Sequence, residues 1–162
     1  MVVTLRSGAN DGEVGEGDQV FDTVEWVFGG SGDDEIVSAS RGPSAGILAD
    51  NAFFGNGGDD LLKGGGGQDR LEGGAGDDTI LGGDGADTLE GQGDRDRLKG
   101  EAGPDELVGG SGDDFVLKGQ GGNDRMFAED GFAEDVNCGA GGADEAHVDA
   151  SDDAANNCET IL

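Results

Sequence analysis

A nine-residue repeat dominates this sequence. Seven copies run in unbroken register from Gly55 to Leu117. Every copy begins with Gly, has Asp at the sixth position and has a branched aliphatic residue at the eighth position. The copies read GNGGDDLLK, GGGGQDRLE, GGAGDDTIL, GGDGADTLE, GQGDRDRLK, GEAGPDELV and GGSGDDFVL. A further copy, GGSGDDEIV, begins at Gly29, and a looser one, GQGGNDRMF, begins at Gly119.

Each position of the repeat has a physical role. Glycine at the first and fourth positions predicts a tight turn with positive φ, which leaves backbone carbonyls open to an approaching ion. The last three residues predict a short strand. Because side chains alternate along a strand, the eighth residue should face inward and its two neighbours outward. The predicted inward column is Leu62, Leu71, Ile80, Leu89, Leu98, Leu107 and Val116.

The repeat length predicts how these strands assemble. Nine residues make half a coil, and a three-residue strand cannot bury its apolar side alone. Stacked coils solve this problem, because each strand then pairs with its equivalent one full coil later. The sequence therefore predicts an all-β fold, a parallel β-roll (β-solenoid) with a thin aliphatic core.

Composition narrows the possible partners. The chain has 37 Asp and Glu against nine Lys and Arg, a net charge of −28. Nucleic acid and anionic membrane surfaces are therefore not expected partners, because both are bound through Lys and Arg. No apolar run of about 18 residues occurs, so we expect no membrane insertion. The start, MVVTLRSGAND, lacks the apolar core of a secretory signal peptide, and Met1 is interpreted as an expression start on a fragment.

Stacking places the sixth-position Asp residues in rows. Carboxylates about 5 Å apart repel each other strongly unless a cation lies between them. Carboxylate and carbonyl oxygens, without thiolate or imidazole, favour Ca²⁺ over Zn²⁺ or copper, and Mg²⁺ fits less well because it retains its waters. The predicted stacked pairs are Asp60 with Asp78, Asp69 with Asp87, Asp78 with Asp96, Asp87 with Asp105, Asp96 with Asp114, and Asp105 with Asp124.

The nonapeptide resembles the GGxGxDxUx repeat of RTX (hemolysin-type) calcium-binding proteins. The resemblance covers Gly29 to Val37 and Gly55 to Phe127, and it implies a right-handed parallel β-roll that binds several Ca²⁺ ions. Two positions depart from the pattern: Asp94 replaces the fourth Gly, and Pro104 occupies a fifth position. The metal ligands implied by the resemblance are Asp34, Asp60, Asp69, Asp78, Asp87, Asp96, Asp105, Asp114 and Asp124.

The flanks of the array predict caps. We divide the chain into an N-terminal capping segment over 1–54, which contains the isolated repeat at 29–37, the tandem β-roll over 55–127, and degenerate repeats with a C-terminal cap over 128–162. A cap covers the unpaired strand edges at the end of a solenoid. The run QVFDTVEWVF reads as strand, with Trp26 in the core of the N-terminal cap.

The two cysteines, Cys138 and Cys158, lie in a frame that resembles the terminal module of secreted actinobacterial calcium-binding proteins. That resemblance implies a disulfide, hence a disulfide-containing cap and an oxidising, secreted or extracellular setting. Two unrelated buried thiols and a metal site remain alternatives, although two Cys and the single His147 fall short of a zinc shell.

The sequence favours a non-enzymatic protein. A single His, His147, argues against the usual base catalysis, and carboxylate pairs are better explained as calcium ligands. We expect an extracellular calcium-binding β-roll, a monomer, whose folding is coupled to Ca²⁺ and which supports secretion, folding or stability. The alternatives are the C-terminal region of a larger secreted hydrolase or toxin and a calcium-stiffened adhesion or spacer module. The sequence specifies no protein partner.

Overall fold

The computed structural model describes residues 2–5, 25–38, 50–141, 143–150, 152–154 and 157–162. Over these residues the chain forms sixteen short strands and no helix. The described part therefore has no helix that could cross a membrane. The other residues, which include 6–24 of the predicted N-terminal cap, lie outside the described structure.

Two parallel sheets of eight strands face each other. Odd-numbered strands form one sheet in chain order and even-numbered strands form the other. The first sheet contains β1 (Val2–Leu5), β3 (Glu35–Ser38), β5 (Leu61–Gly66), β7 (Thr79–Asp84), β9 (Arg97–Ala102), β11 (Val116–Gly121), β13 (Asp135–Ala140) and β15 (Asp153–Ala154). The second contains β2 (Glu25–Gly30), β4 (Asn51–Gly57), β6 (Arg70–Ala75), β8 (Thr88–Gly93), β10 (Glu106–Ser111), β12 (Arg125–Ala128), β14 (Glu145–Val148) and β16 (Thr160–Ile161).

This arrangement is the predicted parallel β-solenoid. In the central coils each residue pairs with the one eighteen positions later, as Leu62 does with Ile80. The strands are longer than predicted, since six residues rather than three pair in β5 to β11. The first three residues of the following repeat continue the strand, because an identical segment in the next coil supplies partners for their backbone groups.

The core is a ladder of single side chains between the sheets. One column consists of Ile36, Leu62, Ile80, Leu98, Leu117 and Val136, and the other of Phe53, Leu71, Leu89, Leu107, Met126 and Ala146. These side chains are fully buried. The aliphatic residues at the eighth position thus face inward as predicted, with one exception.

The exception is Val116. The prediction placed Val116 inside and Leu117 outside, but Leu117 pairs with Leu98 in the core column and Val116 pairs with Arg97. One extra residue lies between Asp114 and the strand, so the alternation of side chains shifts by one position. The displaced Phe115 is partly exposed and carries the guanidinium of Arg97 3.8 Å above its ring centre.

The N-terminal aromatic residues also differ from the prediction. Trp26 is 67% exposed, so its placement in a cap core is wrong. Its strand neighbour Val27 pairs with the buried Phe53, and alternation therefore directs Trp26 outward. Trp26 lies against Phe28 and Phe54, whose rings stack at 4.8 Å between centroids.

The C-terminal segment continues the roll. β13 and β15 extend the first sheet, and β14 and β16 extend the second. Cys138 and Cys158 form a disulfide with their Cα atoms 5.2 Å apart, as the resemblance implied. Cys138 lies in the core beside Val136 and Ala146.

Candidate metal centre

The nine predicted Asp ligands lie just before the strands, with one residue between Asp114 and β11, and all are buried. Each is at most 5% exposed, although carboxylates ordinarily lie in water. In a regular repeat the sixth position lies two residues before the buried eighth position, and alternation therefore turns both side chains inward. Two rows result, one at the start of each sheet's strands.

Consecutive Asp residues in a row contact each other directly. In each of the six predicted pairs the backbone N–H of the first Asp donates to Oδ1 of the Asp in the next coil, so the pairs are neighbours as predicted. The N–H to Oδ1 distances are 2.7 Å for Asp60 and Asp78, 2.8 Å for Asp69 and Asp87, and 2.9 Å for Asp78 and Asp96, Asp87 and Asp105, Asp96 and Asp114, and Asp105 and Asp124.

In seven of the nine Asp residues the second carboxylate oxygen is buried and has no hydrogen-bond partner in the described part of the chain. A buried oxygen without a donor costs free energy, and a charged one costs more. A row of such oxygens is therefore a row of places for a cation or a proton. The atoms concerned are the Oδ2 atoms of Asp60, Asp69, Asp78, Asp87, Asp96, Asp105 and Asp124.

First-position glycines make room for these oxygens. A Cβ on Gly82 would lie 2.5 Å from Oδ2 of Asp87 and 2.7 Å from the carbonyl oxygen of Gly100 in the next coil. Any side chain would thus overlap both oxygens. Each first-position glycine from Gly55 to Gly119 has the same crowding by its own sixth-position Asp.

The prediction of positive φ at the first position is wrong, whereas the prediction for the fourth position is confirmed in the tandem array. Positive φ occurs at the second and fourth positions of the repeat. The second position tolerates Asn, Gln and Glu there as well as Gly. Asp94, the departure at a fourth position, adopts φ 70°, and its Oδ2 accepts a hydrogen bond from the Gly76 N–H, so the turn is retained. Second-position residues with positive φ are Asn56, Gly65, Gly74, Gly83, Gln92, Glu101, Gly110 and Gln120.

Burial raises the pKa values of the row. The pKa of Asp96 rises to about 8, and those of Asp78 and Asp105 to about 7. Burial is the main cause, the backbone hydrogen bond to Oδ1 opposes it, and the carboxylate of a neighbouring coil adds to it. The pKa values of Asp69 and Asp114 rise to about 6 for the same main reason.

The donor set fits a hard cation that accepts many oxygens. No three Asp, Glu, His or Cys side chains converge on one point within the described ranges. A bound ion would therefore use the Asp oxygens together with backbone carbonyls, such as that of Gly100, which border the same space. Ca²⁺ takes six to eight such ligands in flexible geometry, whereas Mg²⁺ demands a strict octahedron. The residues present therefore fit Ca²⁺.

The rows extend beyond the predicted residues. Asn51 begins one row, because its N–H donates to Oδ1 of Asp69 at 2.8 Å. Asp144 continues that row, accepting from the N–H of Asp124 at 2.9 Å, and the N–H of Asp144 donates to Glu159. Sequence reasoning missed Asn51 because Asn replaces Asp, but its position eighteen residues before Asp69 is the signal that could have found it.

Comparison with known proteins agrees with this geometry. The RTX calcium-binding nonapeptide repeat matches in four copies, at residues 21–39, 54–89, 90–121 and 116–132, more than half of the chain. The chain belongs to the RTX calcium-binding nonapeptide repeat family. No curated protein and no solved structure matches the chain. An RTX repeat protein with these buried rows is a calcium-binding β-roll.

Proposed function

We propose that this RTX chain is a secreted calcium-binding β-roll that folds as it binds Ca²⁺, with the nine buried Asp residues as the side-chain ligands. The observation that carries the proposal is the row of buried Oδ2 atoms without a donor. Without a cation, each must hold a proton or remain charged and unpaired. At neutral pH the ion-free fold therefore carries an energetic cost along both Asp rows.

Electrostatics supplies the coupling. Ions bound between the six stacked pairs lower the net charge of −28 to about −16 and remove the repulsion within each row. The unfolded chain has no such pairs, so the free energy of binding becomes free energy of folding. Extracellular calcium modules work at about 10⁻⁴ to 10⁻³ M, which keeps such a chain unfolded where calcium is low.

The disulfide supports an oxidising setting. Cys138 and Cys158 join residues of the last coils, and disulfides persist mainly outside the cytosol. Calcium-dependent folding outside the cell would support secretion and later stability. We propose that the chain acts without catalysis and as a monomer, with the tandem array over 55–127 as its ion-binding unit and 1–54 and 128–162 as its caps.

Far-UV circular dichroism during a calcium titration tests this function. The oxidised chain, stripped of metal, should show a coil spectrum that becomes β with Ca²⁺ and not with Mg²⁺. The variant Asp96→Asn should require more Ca²⁺, whereas Asp113→Asn, at an exposed fifth position, should behave as the unchanged chain. A β spectrum that is indifferent to chelator and calcium would refute the coupling.

A further inference from the structure

One row of carboxylates ends in a feature unlike the rest. Glu134 occupies the place of the next Asp after Asp114, and it is only 2% exposed. Both of its carboxylate oxygens are buried without a donor, whereas a central Asp leaves only one oxygen without a partner. The N–H of Glu134 donates to Oδ1 of Asp152 at 3.3 Å, so the row continues to Asp152.

The surrounding turn is built from acidic side chains rather than from glycines. The residues before Glu134 read Glu129, Asp130, Gly131, Phe132 and Ala133, which lacks the GGxGxD pattern. Oδ1 of Asp130 accepts from the N–H of Phe132 at 2.9 Å. Oδ2 of Asp149 accepts from the N–H of Gly131 at 2.6 Å, and the N–H of Asp149 donates to Oδ2 of Asp152 at 2.7 Å.

These contacts fix the positions of the carboxylates. Backbone N–H groups hold Asp130 and Asp152 in place near the buried Glu134. Among the described residues, no ion pair involves Glu134, Asp130 or Asp152. The pKa of Glu134 is raised to about 8, mainly by burial and then by the adjacent carboxyl of Asp152. The site therefore requires either one positive ion or one shared proton.

We propose that Glu134 and Asp152 form an additional site for a hard divalent cation such as Ca²⁺, outside the glycine-loop repeats. Two unpartnered oxygens on one buried carboxylate match the bidentate mode by which Glu binds Ca²⁺. The bound ion would tie the turn at 130–134 to Asp152, close in sequence to the disulfide-bonded Cys158. This inference rests on the proposed calcium function, and it adds a site in a segment that lies almost entirely beyond the RTX match, which ends at residue 132.

The number of bound ions tests the proposal. Equilibrium dialysis of the oxidised full chain against radioactive Ca²⁺ at saturation counts ions per chain. Glu134→Gln preserves shape and removes the charge, so it should bind one ion fewer. Glu129→Gln, at an exposed position five residues earlier, should bind the full number. Glu134→Asp, which restores the carboxylate of the repeat, should also bind the full number.

The reference variant Asp78→Asn separates this proposal from the proposed function. If Asp78→Asn loses an ion while Glu134→Gln retains the full number, the terminal site is refuted and the central sites remain. If the unchanged chain binds no Ca²⁺, both proposals fail. If Glu134→Gln unfolds, as judged by circular dichroism, the count for Asp152→Asn decides: one ion fewer supports the site, and the full number refutes it.

Discussion

The central coils and the C-terminal segment use the same architecture but are held together differently. In the central coils large aliphatic side chains such as Leu89 and Leu98 fill the core, and the turns are glycine-rich. Toward the C-terminus the core narrows to Ala146, the turns are acidic, and the Cys138–Cys158 disulfide joins the last coils. The difference indicates that the regular repeats are stabilised through stacking and a large aliphatic core, whereas the coils with a smaller core are also joined by a covalent bond.

The largest expected effect is that of pH on the calcium-free chain. Folding raises the pKa values of Asp78, Asp96 and Asp105 to between about 7 and 8, from 3.8. Between about pH 4 and pH 8 the folded state therefore binds more protons than the unfolded state. The stabilisation is therefore full below about pH 4, decreases as the pH rises above that value, and is lost at about pH 7 to 8.

Circular dichroism of the metal-free chain against pH checks this prediction. The β signal should be strong at about pH 5 and weak at about pH 8. Hydrogen exchange should show the loss in the central coils first, because the disulfide restrains residues 138–158. Greater β content at the higher pH would contradict the sign of the effect, and uniform loss along the chain would contradict the comparison.

A second prediction concerns the core. Leu98→Ala removes a fully buried side chain from the middle of the ladder and should lower the free energy of unfolding by about 2–5 kcal/mol. Ile161→Ala, at the last strand, removes a side chain that is 51% exposed and should change it by less than about 0.5 kcal/mol. Urea unfolding in saturating calcium measures both. Equal effects would mean that the end is packed as well as the middle.

The disulfide carries the third prediction. Replacing both Cys138 and Cys158 with Ser should cost about 3 kcal/mol, since the bond closes a loop of about twenty residues. The loss should appear as faster hydrogen exchange in β13 to β16, with β5 to β11 unchanged. Equally faster exchange in the central strands would show that the two regions unfold as one unit.

The sequence predicts the core columns and the Asp rows because both follow directly from the nine-residue repeat. A strict period with an aliphatic residue at one place and Asp at another fixes which residues stack, as Leu62 over Ile80 and Asp60 against Asp78 show. It failed at Val116, because one extra residue after Asp114 shifts the alternation, a shift that the sequence shows only as the spacing of 19 residues between Asp105 and Asp124. It also failed at Trp26, whose direction depends on pairing with Ala52 in a strand outside the regular array.

The role of the first glycine could not be read from the sequence, because it depends on the next coil. Gly91→Ala would place a Cβ against Oδ2 of Asp96 and 2.5 Å from the carbonyl oxygen of Gly109. The backbone carbonyl cannot move without disturbing the adjoining strand, so we expect a loss of about 1–3 kcal/mol and weaker calcium binding.

Gly93→Ala is the matched control. Its Cβ would meet only the carbonyl oxygen of Gly74 at 3.6 Å, an ordinary contact, and its φ is not positive. This variant should be unchanged or slightly stabilised, because Ala restricts the unfolded chain. Urea unfolding and calcium titration of the pair compare two glycines two residues apart in β8. If both variants behave alike, the first glycine serves backbone freedom rather than the space beside the carboxylate. The glycines of the central coils would then be required for backbone conformation. The acidic turn at 130–134 would differ from those coils in its backbone conformation and not in the space that it leaves for an ion.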